Sequence, residues 1–179
     1  NKKAVLVKKI HKENELVSEQ VLEYLGYKFL LKSNKKKTVE IGIAKSKIKK
    51  MKSRVICALK QYCLDADFDL LVDRMKFLTG NYAISSNRKG LKAGIYYNYP
   101  LIAYQKLGKK DLKDLDVFLM RSVFSAKGSL GKRLHPLLTV SKRNKILRLK
   151  FTLGFKNRKV CKLSAERIIS IGRAWKHVA

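Results

Sequence analysis

The sequence predicts an α+β fold, a small antiparallel β-hairpin followed by a mainly α-helical region. Up to about residue 44, apolar and polar residues alternate as they do in strands. From Lys45 onward, apolar residues recur every three or four positions, as on one side of a helix. The content of hydrophobic residues, 46%, is enough to bury a core. We therefore expect one domain over residues 1–44 and a helical domain over residues 45–179.

The first domain is predicted to consist of strands joined by polar turns. Residues 4–10 are apolar and β-branched and predict a strand, whereas residues 11–19 are polar and predict a connection. A second strand is predicted over about residues 22–32. The polar, lysine-rich residues 33–37 predict a turn, after which residues 38–43 return as a strand.

Gly26 lies in the middle of the second predicted strand, where the alternation of apolar residues changes phase. We expect it in the first arm of the hairpin. A glycine inside a strand is typical of a bulge, or of a place where another backbone or a ligand approaches closely. Both interpretations are open on the residue pattern alone.

A basic helix is predicted from about Lys45 to Tyr62. Its apolar side consists of Ile48, Met51, Val55, Leu59 and Tyr62. Its other sides carry Lys45, Lys47, Lys49, Lys50, Lys52 and Arg54. No acidic residue occurs between Ile41 and Leu64, so the helix lacks the opposite-charge pairs that usually support a surface helix. This pattern favours contact with phosphates, and the alternative is a merely solvated face.

The remaining helices are predicted from apolar periodicity and from capping residues. They cover residues 68–78 after Asp65-Ala66-Asp67, 101–107, 110–126, 141–150 and a last helix from Ser164. Loops are predicted at residues 82–94 and 128–131, and a helix end at Gly154.

Tyr96 and Tyr97 belong to a tyrosine-rich segment that ends at Pro100. Their rings could stack on bases or sugars, or they could be packing anchors between helices.

No metal site is predicted. Asp111, Asp114 and Asp116 are assigned to the start of a helix, where acids are favoured by the helix dipole. The three cysteines form no CxxC pair and are expected to be reduced thiols, most of them buried.

The net charge of +29, from 42 Lys and Arg against 13 Asp and Glu, predicts a polyanionic partner. Nucleic acid is the leading candidate, and an anionic membrane surface is second. Between Val117 and Ala165 there are thirteen Lys and Arg and no acid, including Lys142 and Arg143 on a predicted basic helix face. No apolar run approaches the length of a spanning helix and no secretory signal pattern opens the chain, so a cytoplasmic location is expected.

Several segments resemble prokaryotic reverse transcriptases of the group II intron and retron type. Leu25-Gly26-Tyr27 and the hairpin after it resemble the primer-grip strand at the edge of the palm, and the following basic helix resembles the start of the thumb. Residues 73–82 and 94–99 are similar to the thumb of the antiviral, defence-associated reverse transcriptases in particular. The helix from Ser164 to Trp175 fits the ending of the same family, so the resemblance covers essentially the whole chain.

The resemblance implies an RNA-directed DNA polymerase that uses the two-metal mechanism, with a primer grip at Leu25, Gly26 and Tyr27. The sequence contains no Tyr-x-Asp-Asp. The catalytic aspartates and their Mg²⁺ are therefore expected outside this chain, upstream of Asn1, and the chain alone is not expected to polymerise. We expect it to be part of a longer protein. Lys2 or Lys3 is implied as the motif D lysine that assists the leaving pyrophosphate, with Lys3 the candidate.

The implied partners are an RNA template or non-coding RNA, a DNA primer or product, and the fingers and palm of the polymerase. An oligomer is compatible with these partners. No membrane partner is expected. The residues predicted to bind nucleic acid are Lys45, Lys47, Lys49, Lys52, Arg54, Tyr96, Tyr97, Lys142 and Arg143. An alternative is a non-catalytic basic RNA-binding module, which shares the charge but has no use for the hairpin. A protein that docks on an anionic membrane is a third hypothesis, disfavoured because the helices bear ordinary core faces.

Overall fold

The computed structural model describes residues 6–12, 15–33, 38–84 and 91–176. The motif D candidates Lys2 and Lys3 and most of the turn predicted at residues 33–37 lie outside these ranges. The fold is α+β, as predicted. The chain forms two compact units. Unit 1 comprises Asn1–Ile48 and Tyr99–Asp111, and unit 2 comprises Lys49–Asn98 and Leu112–Ala179. The domain boundary was predicted after residue 44, and the first segment of unit 1 ends at Ile48.

Unit 1 contains a four-stranded antiparallel sheet in which neighbouring strands follow each other along the chain. The strands are β1 (Leu6–Lys12), β2 (Glu15–Tyr24), β3 (Tyr27–Ser33) and β4 (Thr38–Ile43). The connection predicted at residues 11–19 was wrong over most of its length, because β2 begins at Glu15 and pairs with β1. A ladder is held by backbone hydrogen bonds, so a polar sequence does not exclude a strand.

Gly26 does not lie inside a strand. Leu25 and Gly26 form a two-residue turn between β2 and β3, and the flanking residues Tyr24 and Tyr27 are paired across the hairpin. Both turn residues have positive φ, +48° and +86°, as a type I′ turn requires. The placement of Gly26 in the first arm of a hairpin was therefore wrong. The change of phase in the sequence arises because the chain reverses direction there.

The core of unit 1 lies where β3 and β4 meet the segment that starts at Tyr99. Tyr27, Ile43, Ala44, Tyr99 and Ile102 are all buried. A short 3₁₀ helix (Pro100–Ile102) follows Tyr99. Two longer helices, α1 (Lys45–Asp65) and α4 (Lys106–Phe124), contribute their first residues to unit 1 and the rest to unit 2.

Unit 2 is mainly helical. Besides most of α1 and α4 it contains α2 (Phe68–Thr79), α3 (Ile95–Asn98), α5 (Gly128–Leu134), α6 (Val140–Leu147), α7 (Phe151–Asn157) and α8 (Ala165–Arg173). A small mixed sheet of β5 (Asn81–Ile84), β6 (Leu91–Gly94) and β7 (Val160–Leu163) has the order β6-β5-β7, with β5 antiparallel to β6 and parallel to β7.

Capping predictions were confirmed at two helix starts. Asp67 accepts a hydrogen bond from the backbone N–H of Leu70 at 2.8 Å and starts α2. Ser164 accepts one from the N–H of Arg167 at 3.2 Å and starts α8. The helices predicted from Lys45 and over residues 141–150 are present as α1 and α6.

The loop predicted at residues 128–131 and the helix end predicted at Gly154 were wrong. Gly128 to Gly131 lie within α5, and Gly154 lies inside α7. A Cβ at Gly131 would meet the carbonyl oxygen of Ser125 at 2.7 Å, and one at Gly154 would overlap the carbonyl oxygen of Thr79. These glycines permit close approach of two backbones and do not end helices.

Two other boundaries also differ from the prediction. The loop predicted at residues 82–94 includes most of β5 and all of β6, and residues 85–90 between them lie outside the described ranges. In place of helices at residues 101–107 and 110–126, the chain has the 3₁₀ helix and the single helix α4.

The core of unit 2 includes the buried guanidinium of Arg74. Arg74, 2% exposed, donates from Nη2 to Asp65 Oδ2 at 2.9 Å. Its neighbour Asp73 instead pairs with Arg167 at 2.7 Å and with Lys76 at 3.3 Å. The apolar residues buried in the same unit include Val55, Leu59, Leu71, Met75, Leu115 and Leu119. Within the described ranges, no helix has both the length and the apolar character needed to cross a membrane.

Candidate nucleic-acid interface

The hairpin turn and the start of α1 are held together in unit 1. The N–H of Ala44, just before α1, donates to the carbonyl oxygen of Gly26 at 2.9 Å. The N–H of Lys45 donates to the Glu23 carboxylate at 3.0 Å, which satisfies one of the unpaired donors at the helix start. A Cβ at Gly26 would lie 3.3 Å from Cε of Lys47, so the stem of this lysine crosses the turn.

The three residues of the predicted primer grip have different surroundings. Leu25 is 74% exposed at the tip of the turn, and Gly26 is half-buried. Tyr27 is buried, with its ring edge-on to Tyr99 at 5.8 Å between ring centroids. Burial raises the pKa of Tyr27, and a hydrogen bond with the backbone of Leu101 opposes this. Tyr27 therefore anchors the hairpin, whereas Leu25 is available to a ligand.

The cations of α1 fall on two sides of the helix, given its 3.6-residue period. One side carries Lys45, Lys49, Lys52 and Lys60. Another carries Lys47, Lys50 and Arg54. Lys45, Lys47, Lys49 and Lys60 are exposed, and the other three are half-buried. Lys60 was missed by the sequence prediction, although its spacing of eight residues from Lys52 indicates the same side.

Two of the α1 cations have aromatic partners. The Lys52 ammonium lies 5.2 Å from the centre of the Phe118 ring. The Arg54 guanidinium lies 5.4 Å from Trp175, and the indole N–H of Trp175 donates to the Arg54 carbonyl oxygen at 3.0 Å. Within the described part of the chain, none of the α1 cations forms an ion pair with a carboxylate. The charges of these side chains are therefore available to an external anion. Among them, the Arg54 side chain is the most restricted in its movement by its contacts with Trp175.

Tyr96 and Tyr97 pack mainly against protein groups. Tyr96 lies 5.3 Å from Phe155 between ring centroids, and the Arg158 guanidinium lies 4.2 Å from its centre. Tyr97 meets Tyr96 edge-on at 5.4 Å and has the Lys92 ammonium at 5.8 Å. Both side chains are half-buried, which favours packing anchors over free stacking platforms.

Lys142 and Arg143 also have internal partners. The Lys142 ammonium donates to the Tyr62 hydroxyl at 3.2 Å and lies 5.2 Å from the centre of Phe68. Arg143 is 8% exposed and donates from Nη2 to the carbonyl oxygen of His135 at 2.8 Å. Burial of this kind gives Arg143 a structural role, so we leave it out of the proposed interface.

The three aspartates of α4 do not lie in its first turn, so the helix-dipole reason given for them was wrong. Asp111 accepts from the N–H of Ile43 at 2.8 Å and lies 3.8 Å from the Lys28 ammonium. Asp116 accepts from the N–H of Phe151 and from the Thr152 hydroxyl, both at 2.6 Å, and so caps α7. Among the described residues, no group of three His, Cys, Asp or Glu side chains could hold a metal ion.

Comparisons with protein-family models, with curated proteins and with solved structures gave no match to this chain. The function is therefore inferred from the residues and their geometry.

Proposed function

We propose that this chain is the palm edge and helical thumb of a prokaryotic reverse transcriptase, most like the antiviral, defence-associated group, and that it holds a primer–template duplex. One observation carries the proposal. A tight turn with an exposed tip, Leu25–Gly26, is hydrogen-bonded to the start of the 21-residue helix α1. This helix carries seven cations and no acid before its last residue, Asp65.

The turn and the helix suit different parts of a duplex. Leu25, exposed at the tip of the turn, can contact the end of a primer strand, and the stem of Lys47 covers the side of Gly26 where a Cβ would lie. Lys45, Lys49 and Lys52 lie on one side of α1 and can together contact phosphates of the duplex backbone. Phosphate contacts fix the position of a protein on a duplex but carry no sequence information, so binding should depend little on sequence.

The chemistry is assigned to other parts of the protein. In this proposal the catalytic aspartates, their Mg²⁺ and the fingers and remaining palm lie outside this chain, and Lys3 assists pyrophosphate departure. RNA template or non-coding RNA and DNA primer or product are the partners, and the protein is cytoplasmic. No step of nucleotide addition is assigned to the described residues.

The salt dependence of duplex binding tests the proposal. We define the α1 variant as Lys45→Gln, Lys49→Gln and Lys52→Gln, which keeps much of each side-chain stem. Each lost phosphate contact should flatten the plot of log affinity against log salt by roughly 0.9, the value for a B-form duplex. The α1 variant should therefore bind an RNA–DNA duplex more weakly, with a slope smaller by roughly 2 to 3 in magnitude.

A matched control separates local contact from loss of net charge. The α4 control is Lys106→Gln, Lys109→Gln and Lys113→Gln, three exposed lysines with similar helical spacing. The control should keep most of the wild-type slope. An unchanged slope in the α1 variant, or an equal decrease in both variants, contradicts the role of α1.

A non-catalytic RNA-binding module is the second candidate, because of the charge of unit 2. This unit has 27 Lys and Arg against 7 Asp and Glu, a net charge of +20. Such a module should prefer a folded RNA to an RNA–DNA duplex. Competition between these two ligands for the wild-type chain separates the candidates, because the duplex-holding proposal requires the duplex to compete effectively.

A further inference from the structure

Unit 2 contains an open groove of about 190 Å³, separate from the cation-bearing sides of α1. It is bounded by the C-terminal end of α2, the segment between α6 and α7, one side of α7, and the β7 strand with the residue before it. Most of its lining comes from the acid-free part of the sequence between Val117 and Ala165.

The groove is lined by four cations and by no carboxylate. The cations are Lys76, Arg148, Lys150 and Lys159, all exposed. Lys76 pairs with Asp73 at 3.3 Å. The other three form no ion pair or side-chain hydrogen bond with any residue that the structure describes. Cations that share a concave surface without a carboxylate attract an anion from solution.

The floor of the groove is held by backbone contacts. Gly154 of α7 packs against the carbonyl of Thr79 so closely that a Cβ would overlap it. Asn81, 1% exposed, donates from Nδ2 to the Gly154 carbonyl oxygen at 2.9 Å and accepts from the N–H of Tyr96 at 2.9 Å. These polar groups are already satisfied within the protein, so the cations at the rim are the groups that remain to bind a ligand.

An apolar surface lies beside the cations. Leu149 and Leu153 line the groove, and Leu153 is 42% exposed. Exposed leucine next to unpaired cations matches a ligand with one charged end and one flat or apolar end. A nucleotide has this character, because its phosphate is anionic and its base presents an apolar face.

We propose that this groove binds the phosphate group of one nucleotide unit, with the phosphate between Arg148, Lys150 and Lys159 and the sugar or base against Leu153. A volume of about 190 Å³ is below that of pockets that enclose a whole drug-sized ligand, roughly 300–1,000 Å³, so much of the base remains outside. The groove is also too small for a duplex. The proposal goes beyond duplex holding and applies to a free nucleotide or to one residue of a single strand.

Cys161 provides a direct reporter, because its exposed side chain lines the groove and the other two cysteines are half-buried. The wild-type chain is alkylated with iodoacetamide in the presence of inorganic phosphate, AMP or a five-residue oligoadenylate, and the modified peptide is quantified by mass spectrometry. We expect AMP, the oligoadenylate or both to slow alkylation of Cys161 several-fold more than inorganic phosphate does. Protection by AMP indicates a free nucleotide, and protection by the oligoadenylate alone indicates a single strand.

The groove variant, Arg148→Gln, Lys150→Gln and Lys159→Gln, should lose this protection, whereas the α4 control should keep it. Emission of Trp175, buried in the same unit, verifies that each variant is folded. Any of three results overturns the proposal. Protection of Cys161 is equal in the groove variant and in the α4 control, or neither nucleotide protects Cys161, or inorganic phosphate protects it as strongly as both nucleotides do. The α1 variant should retain protection, so failure of the groove is distinguishable from failure of duplex holding.

Discussion

Substitution of Gly154 by alanine sets two known effects against each other. Alanine is the better helix former and should stabilise α7 by about 0.5–1 kcal/mol if nothing else changed. Its Cβ, however, would overlap the Thr79 carbonyl oxygen and lie 3.0 Å from Cα of Gly80. These neighbours are backbone atoms and cannot rotate away. Overpacking usually costs about 1–3 kcal/mol, so we expect a net loss of about 1–2 kcal/mol.

Gly172→Ala is the matched control, because Gly172 lies in α8 and a Cβ there would meet nothing within 4 Å. This variant should gain about 0.5–1 kcal/mol. Unfolding in urea is followed by the emission of Trp175, the single tryptophan of the chain. With a slope of about 2 kcal/mol per molar urea, Gly154→Ala should lower the midpoint by roughly 0.5–1 M and Gly172→Ala should raise it. A stabilised Gly154→Ala variant would refute the close crossing of α7 over the end of α2.

Three other predictions concern side chains with internal partners. Asp116→Ala should destabilise unit 2 by about 2 kcal/mol in the same urea assay, since it removes charged acceptors from the start of α7, and Asp116→Asn should lose less. Arg143→Ala should cost a similar amount and leave the salt slope of duplex binding unchanged; a flatter slope would place Arg143 on phosphate instead. Burial raises the pKa of the Cys63 thiol. Cys63 should therefore be alkylated more slowly than Cys161 at pH 8, and its alkylation rate should increase only at a higher pH than that of a free thiol. Equal rates for the two cysteines would contradict the burial of Cys63.

Local signals in the sequence were sufficient for much of the fold. The change of period near Lys45 placed the strands and α1, since it reflects which positions of each element are buried. Asp67 and Ser164 marked helix starts, because a cap is made within four residues of the chain.

Features that depend on distant residues were not predictable in this way. Gly154 reads as a helix end until the Thr79 carbonyl is known to lie against it. The residues next to Arg143 in the sequence are as basic as those next to the unpaired cations nearby. Only the packing shows that the Arg143 side chain is buried. The partner of Asp116 is a helix start 35 residues away. Leucine rarely takes the positive φ of a type I′ turn, so the residues Leu25–Gly26 do not by themselves indicate a turn.

In the proposed function, the turn at Leu25–Gly26 seats the end of a primer on a duplex held by α1. Photo-cross-linking tests it directly, with an RNA–DNA duplex whose DNA strand carries a photoreactive group on its 3′-terminal nucleotide. We expect the cross-linked peptide to contain Tyr24 to Tyr27, and we expect the α1 variant to reduce its yield. Cross-links confined to other segments, or an equal yield when the group is at the 5′ end, would contradict it.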